Sequence, residues 1–257
     1  MNYLDIYELL NRSNCGKCGT PTCMAFALSV VRGEKDLEEC SYIDRDTVER
    51  VREKIEKRDW KEELIDSLRK EVSGIDFESV AEGIGAELKD GKLRINCLGV
   101  DFLIEENGNI YSQGHINPWI KILLLHYIRR AGRSAPGGKW VSFGELKGGW
   151  VKKLSFTRDC EEPLRILIDG GINHFDDILS MFGGKHVPGQ ASDHAWIIYP
   201  LPKVPFLILY WRPDEDFGSN LRILFDSTAD EYLDVESLIF LGEGLLEMFK
   251  RIILRHE

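Results

Sequence analysis

The chain has 257 residues, and its 43 acidic residues outnumber its 33 basic ones, for a net charge of −10. Neutralising nucleic-acid phosphates requires clustered Lys and Arg, so this composition argues against nucleic-acid binding and suits a protein partner with a basic docking patch. The sequence has no apolar run of the roughly 18 to 20 residues that a membrane span needs, and its first residues are acidic where a signal peptide is basic. We therefore expect a cytoplasmic protein.

Four of the six cysteines lie in the first 40 residues as Cys15, Cys18, Cys23 and Cys40, in the pattern C-x2-C-x4-C-x16-C. Four thiolates suffice to hold one cubane iron–sulfur cluster. Zinc also accepts four cysteines, but its sites usually pair two C-x2-C knuckles, and this pattern has one. Disulfides would need an oxidising compartment. The spacing favours a single cluster, with zinc and disulfides as the alternatives.

The residues around Cys23 predict a helix that places this cysteine in its first turn. Thr22 is a good N-cap, and Gly33 is a good stop. The free N–H groups and positive end of such a helix favour a thiolate and an anionic cluster. We expect the apolar face of this helix to form the core of a small module, through Met24, Ala27, Leu28 and Val31.

The glycines and threonines between the cysteines are candidate cofactor-binding residues. Gly16 and Gly19 are expected to let backbone amides approach the cysteine sulfurs, and the amides up to Thr20 and Thr22 are expected to tune the cluster. Hydrogen bonds to cluster sulfurs are one of the factors that set a reduction potential.

The segment Asn14–Ala27, preceded by Ile6–Leu10, resembles the cluster module of corrinoid iron–sulfur protein large subunits, and Cys40 stands at that family's fourth ligand position. The resemblance implies a low-potential [4Fe-4S] cluster on the four cysteines. It also implies one-electron reductive activation of a corrinoid in anaerobic one-carbon metabolism. A looser similarity exists to the cluster domain of Rnf-type electron-transport subunits. The match covers about the first 45 residues, and Ser41 replaces the proline that is usual in the family.

A charged bridge over residues 44–75 is predicted to form two amphipathic helices. Asp44 or Asp46 is expected to cap the first, Arg58-Asp59 to mark the break, and Gly74 to end the second. Their apolar stripes are Val48, Val51 and Ile55 in the first helix, and Trp60, Leu64, Ile65, Leu68 and Val72 in the second.

Beyond the bridge, residues 76–257 are predicted to form a larger α+β domain, with an antiparallel sheet and flanking helices, after the N-terminal module of residues 1–43. Alternating residues around Asp90-Gly91 predict a small antiparallel meander. Helices are predicted from Pro118 to about Arg130, over most of 144–183, and from about Val235 to Leu254. Three strands are predicted, at Ala195–Tyr199, Pro205–Trp211 and Leu221–Phe225.

Residues 80 to 250 resemble a domain of unknown function that accompanies cluster modules of this type in methanogens and acetogens. That resemblance implies a family but no activity. The matching marks are Asp193, Pro202–Pro205, Tyr210-Trp211, Asp214-Glu215 and Ile223–Asp226.

The larger domain offers few candidate site residues. His115 and His194 are candidate ligands of a cofactor metal such as the cobalt of a corrinoid, although a hydrogen-bonded structural role is the simpler interpretation. Cys97 and Cys160 are expected to be buried, inert thiols. Six aromatic residues are expected to form core rather than a pocket for a flat cofactor, namely Trp140, Trp150, Trp196, Tyr199, Tyr210 and Trp211. The acidic group has no diagnostic spacing; it consists of Asp214, Glu215, Asp216 and Asp226.

These observations predict an iron–sulfur redox protein that passes one electron to a partner protein or bound cofactor, and the resemblance implies a role in corrinoid activation or one-carbon chemistry. The alternative is a corrinoid-binding or metallocentre accessory protein whose cluster has a sensing or structural role. Whether the chain is an enzyme is left open by the sequence.

Overall fold

The computed structural model describes residues 2–52 and 60–256. It divides into two compact units, Met1–Asp66 and Ser67–Glu257. The small first unit is helical, and the larger second unit combines helices with two antiparallel sheets. The predicted α+β class is confirmed.

Over residues 2–52, the first unit forms three helices and a short 3-10 turn at Leu37–Glu39. The helices are α1 (Tyr3–Leu9), α2 (Cys23–Val31) and α3 (Arg45–Arg52). Thr22 caps α2 as predicted, because its hydroxyl oxygen accepts the Ala25 N–H at 3.1 Å. Asp44 caps α3 by accepting the Thr47 N–H at 2.7 Å.

The buried face of α2 differs from the predicted one. Met24 is exposed, and Leu28 and Val31 are only half-buried. The prediction was wrong because it placed the stripe one residue too late, whereas the large Phe26 ring is the apolar group that this helix buries. The residues it buries follow helical i, i+3, i+4, i+7 spacing and are Cys23, Phe26, Ala27 and Val30.

The core of the first unit combines this face with residues of the other helices. Val48 and Val51 of α3 are buried, as predicted for the first stripe of the bridge. Ile55 and the predicted break at Arg58-Asp59 lie outside the described residues. The remaining apolar members of the core are Ile6, Leu10 and Leu37. The next helix, α4 (Trp60–Val72), buries Ile65, Leu68 and Val72.

The second unit begins within α4. The next helix, α5 (Phe77–Ile84), was missed by sequence patterning and ends at Gly85 with a φ of +67°. The predicted meander follows and is confirmed. Its strands pair in chain order, β1 (Glu87–Lys89), β2 (Lys92–Cys97), β3 (Val100–Ile104) and β4 (Ile110–Tyr111). The first hairpin turn is Asp90-Gly91, whose φ values of +52° and +73° explain the aspartate–glycine pair.

A helical region separates the meander from the second sheet. Asn117 caps the predicted helix α6 by accepting the Ile120 N–H at 2.9 Å, and Pro118 occupies its first turn. Thr157–Glu161 is wound as a π-helix between two α-helices. The elements of this region are α6 (Pro118–Arg130), β5 (Trp140–Ser142), α7 (Gly149–Phe156), α8 (Glu162–Asp169) and α9 (Ile172–Met181).

The second sheet has the strand order β5-β9-β8-β7-β6 and is antiparallel throughout. The new strands are β6 (Lys185–His186), β7 (His194–Leu201), β8 (Val204–Trp211) and β9 (Asn220–Asp226), and they are followed by α10 (Ala229–Tyr232) and α11 (Val235–His256). Trp196 of β7 is buried edge-on against Phe175 of α9, which itself meets Phe249 of α11. Trp196 therefore lies in the core as predicted, and Tyr210 is buried as well. The prediction was wrong for Trp150 and Tyr199, whose side chains are 77% and 49% exposed.

No helix within residues 2–52 and 60–256 combines the length and apolarity needed to cross a membrane.

Candidate metal centre

The four N-terminal cysteines line a single pocket in the first unit. Cys15 and Cys18 lie in the loop between α1 and α2, Cys23 is the first residue of α2, and Cys40 directly follows the 3-10 turn. Cys23 and Cys40 are only 8% and 9% exposed, whereas Cys15 is open to solvent. All four carry free thiols.

Two glycines shape the loop that carries Cys18. Gly16 and Gly19 adopt φ values of +71° and +76°, which are costly for residues with a Cβ. The Gly19 N–H donates to the Gly16 carbonyl at 2.9 Å and closes a tight turn around Cys18. The Gly19 amide thus binds a carbonyl rather than a sulfur, and Gly19 is not among the residues that line the pocket.

Asn14 fixes the position of Cys23. Its side-chain oxygen accepts the Cys23 N–H at 2.8 Å, and its own φ is +49°. The bond joins the start of the cysteine loop to the first residue of α2. Sequence reasoning missed this role, although asparagine tolerates the left-handed conformation better than most residues and so offered a weak signal.

Tyr42 links the two halves of the site. Lys17, between the first two cysteines, donates from Nζ to the Tyr42 hydroxyl at 3.2 Å and lies 5.0 Å from the ring centroid. The segment after Cys40 is therefore fastened to the Cys15–Cys18 loop. This hydrogen bond, which Tyr42 accepts, also raises the pKa of Lys17. Nothing in the sequence pattern pointed to Tyr42.

The surroundings of Cys15 favour its thiolate. The Lys17 backbone N–H directed at the sulfur lowers the pKa of Cys15 and outweighs the opposing effect of burial, with further help from the Ser13 hydroxyl. Cys23 benefits from its place at the N-terminus of α2, where helix N–H groups favour negative charge. Both features suit anionic sulfur ligands.

The two threonines also lie at the pocket. The Thr20 hydroxyl is 3.1 Å from the Cys18 sulfur, so it can donate to that sulfur when Cys18 is a thiolate. Thr22 lines the pocket as well, while its oxygen caps α2. Gly16 completes the predicted set that the pocket brings together.

Four sulfur donors around one pocket are the ligand set of an iron–sulfur cluster or a zinc site, so the donor chemistry fits the predicted group. In the part of the chain that the structure describes, no three His, Cys, Asp or Glu side chains lie close enough together to hold a single metal ion.

The two candidate histidines belong to the second unit and are not brought together there. His194 stacks on Trp196 with ring centroids 5.5 Å apart, and its other ring neighbours are His186 and Tyr210. Burial lowers the pKa of His194, with help from the Arg212 charge. His115 is exposed in the loop before α6.

Two of the four candidate acidic residues have structural roles. Asp214 accepts the N–H groups of Asp216 and Phe217 within a turn. Asp226, almost fully buried, accepts the Gly138 N–H at 2.6 Å and both polar hydrogens of Thr228.

The remaining cysteines are buried in the second unit. Cys97 is fully buried in β2, and burial raises its pKa far above the ordinary thiol value. Cys160 lies in the π-helix, where its thiol donates to the Ile239 carbonyl at 3.7 Å, and burial raises its pKa too. Neither environment activates a thiolate, in line with the inert role expected for both.

Fold and site together define a chain with a four-thiol helical unit and a larger α+β unit. Residues 76–248, about two thirds of the chain, match the family model described as "Domain of unknown function (DUF3786)", and the chain belongs to this family. Residues 10–42 match a second model, described as "Putative Fe-S cluster". No solved structure matches the chain.

Curated relatives match over the N-terminal region. The corrinoid/iron-sulfur protein large subunit of Moorella thermoacetica is 50% identical over 40 residues, which are 16% of this chain and 9% of that protein. The acetyl-CoA decarbonylase/synthase complex subunit gamma of Methanopyrus kandleri is 40% identical over 53 residues, or 21% and 12% of the two chains. The same subunit of Methanocaldococcus jannaschii is 40% identical over 52 residues, or 20% and 11%. The chain thus spans about a tenth of the length of these relatives.

Proposed function

We propose that Cys15, Cys18, Cys23 and Cys40 bind one [4Fe-4S] cluster and that the protein transfers single electrons to a partner. The observation that carries this proposal is that all four cysteines line one pocket. The match of residues 10–42 to an iron–sulfur family model supports it. When bound, such a cluster supplies reversible one-electron chemistry whose potential the surrounding protein sets.

The chain's own residues hold the site in shape and favour its charge. Asn14 holds Cys23 at the N-terminus of α2, and the Lys17–Tyr42 contact closes the loop against the segment after Cys40. The Lys17 N–H lowers the pKa of Cys15, and the Thr20 hydroxyl is placed to donate to Cys18. Hydrogen bonds to thiolates stabilise the more reduced, more negative state of an iron–sulfur site.

The acceptor in this proposal is a corrinoid, either on a partner protein or bound directly, in one-carbon metabolism. Support comes from the names of the N-terminal relatives, a corrinoid/iron-sulfur protein and acetyl-CoA decarbonylase/synthase subunits. These relatives match only the first part of the chain, so the role of the second unit is part of the proposal. We assign the cluster to residues 1–43, a helical bridge to 44–75 and the α+β domain of unknown function to 76–257.

The test is the metal content of anaerobically purified protein together with the variant Cys18→Ala. We expect about four irons and four sulfides per chain and a reversible one-electron signal by electron paramagnetic resonance. Cys18→Ala should lose most of the iron, while the near-ultraviolet circular dichroism of the second unit, which contains Trp196, should not change.

The matched control is Cys97→Ala, which removes a buried thiol outside the pocket and should keep its iron. Stoichiometric zinc without iron or sulfide in the wild-type protein would refute the proposal. A corrinoid absorption spectrum in the same sample would identify the acceptor as bound, and corrinoid reduction only on adding a corrinoid protein would place the acceptor on a partner.

A further inference from the structure

A basic cleft lies in the second unit between α5, the C-terminal end of α6 and the turn between β7 and β8. Its volume is about 710 Å³. Four cations line it, and among its lining residues Glu82 is the one carboxylate. The cations are Arg129, Arg130, Arg133 and Lys203. This is a local surplus of positive charge on a chain whose net charge is −10.

Two of these cations have partners within the fold. Arg129 forms an ion pair with Glu71 at 3.2 Å. Arg130 donates to the backbone carbonyls of Asp230 and Glu231. Both occupy the last turn of α6, where the helix dipole favours positive charge.

The charges of the other two cations are not balanced by the fold. Within residues 2–52 and 60–256, the side chains of Arg133 and Lys203 have neither an ion-pair partner nor a hydrogen bond. Placing them in one cleft with Arg129 and Arg130 is unfavourable because like charges repel. An anion in the cleft would offset this repulsion.

The segments that carry Arg133 and Lys203 are held in place. The Tyr232 hydroxyl hydrogen-bonds to the Ser134 carbonyl at 2.7 Å and to the Gly83 carbonyl at 3.2 Å, and so joins the two walls of the cleft. Next to Arg133, a Cβ at Gly132 would come within 2.8 Å of the Tyr232 ring, so only glycine fits there. The Lys203 backbone N–H donates to the Tyr127 hydroxyl at 3.1 Å. The cleft is therefore preformed, which lowers the entropic cost of binding.

The lining also contains apolar surface, from Ile75, Val80, Ala131 and Ala135. The volume lies in the range of small-molecule sites, which combine apolar walls with a few placed polar groups. A planar guanidinium matches phosphate oxygens in pairs, and a lysine adds a point charge. We propose that this cleft binds a small organic molecule through its phosphate group, with Arg133 and Lys203 on the phosphate and the apolar residues against the rest.

The test is isothermal titration calorimetry of the full-length protein with phenyl phosphate and with inorganic phosphate. We expect one saturable site for phenyl phosphate, with a weaker site for inorganic phosphate. Equal affinity for the two probes would assign the cleft to free phosphate instead. Arg133→Gln and Lys203→Gln should each weaken phenyl phosphate binding at least tenfold, because each removes a direct charge contact.

Lys185→Gln is the matched control, since it removes an exposed lysine on β6 that does not line the cleft. The affinity of this variant for phenyl phosphate should equal that of the wild type. Thermal melting of every variant shows that the fold is retained. Absence of saturable binding to both probes, or unchanged binding in the Arg133 and Lys203 variants, would overturn the proposal.

Discussion

At the scale of single residues, the candidate centre depends on contacts that lie beside the ligands rather than on them. Asn14 accepts the Cys23 N–H and adopts a positive φ, so one side chain both turns the chain and positions a thiol. Most other residues with a Cβ would be strained in that backbone conformation. Most would also leave the Cys23 N–H without a hydrogen-bond acceptor.

We expect Asn14→Ala to release iron faster than the wild type because it loses the hydrogen bond and adds backbone strain, together about 2 kcal/mol. The measurement is the rate of iron transfer to a chelator under anaerobic conditions. Asn14→Gly removes the bond but tolerates the positive φ, so its rate should fall between the two. Asn96→Ala, a control that removes an exposed asparagine side chain in the second unit, should behave like the wild type.

The sequence allowed the four cysteines to be predicted as one set because metal ligands must be of particular types at compatible spacing. It did not reveal Asn14 or Tyr42 as supporting residues. The Tyr42 contact spans 25 positions and depends on how the chain returns to the loop, which no local pattern encodes. A side-chain bond to a backbone N–H, as at Asn14, likewise becomes visible only once the loop is folded.

At the scale of helices and strands, predictions succeeded where caps and periodicity agreed. The span of α6 was predicted because Pro118 at its start and a long apolar face indicate the same helix. The short α5 was missed because eight residues give too little periodicity. The face of α2 was misplaced because nearly every residue in that helix is apolar, so the pattern alone does not choose a side.

Strand β9 ends in a residue that ties two loops to the sheet. The buried Asp226 carboxylate accepts N–H groups from Gly138 and Thr228. Burial alone would raise the pKa of Asp226, but these hydrogen bonds outweigh it and hold the pKa below the ordinary value of 3.8. The ionised carboxylate therefore stabilises the fold at pH values above the ordinary pKa of an aspartate. This stabilisation is lost as the pH falls through the lower pKa that Asp226 has in the folded protein.

We expect Asp226→Asn to lower the free energy of unfolding by about 2 kcal/mol at neutral pH, because an amide replaces one acceptor with a donor facing N–H groups. Urea unfolding followed by tryptophan fluorescence measures this loss. The difference in the free energy of unfolding between variant and wild type should be constant around neutral pH. It should shrink only when the pH falls below the ordinary pKa of an aspartate. Asp177→Asn, an exposed control on α9, should change stability little, and an equal loss there would contradict the role of Asp226.

At the scale of the whole molecule, the chain combines a small unit stabilised by its own apolar core with a larger family domain. The net charge of −10 gives the protein a long-range field that attracts cationic surfaces. That field bears on encounter rates more than on the strength of a formed complex.

We expect the cation hexaamminecobalt(III) to oxidise the reduced protein faster than the reduction potential of this oxidant alone explains. This excess in rate should shrink as salt is added. The screening length falls from about 30 Å at 0.01 M salt to about 8 Å at 0.15 M. Stopped-flow absorbance measures both rates. Ferricyanide is the control with opposite charge, and its rate should rise with salt. Salt dependence of the same sign for both oxidants would contradict steering by net charge.

The burial of Cys97 and Cys160 has a practical consequence for chemistry on the folded protein before any cluster is bound. With both sulfurs shielded and their protons tightly held, an alkylating reagent such as a maleimide meets reactive sulfur only in the first unit, and first of all at the solvent-open Cys15. Fluorophores, spin labels and mass tags attached in this way report on the neighbourhood of the four-thiol pocket without any cysteine having to be removed from the rest of the chain.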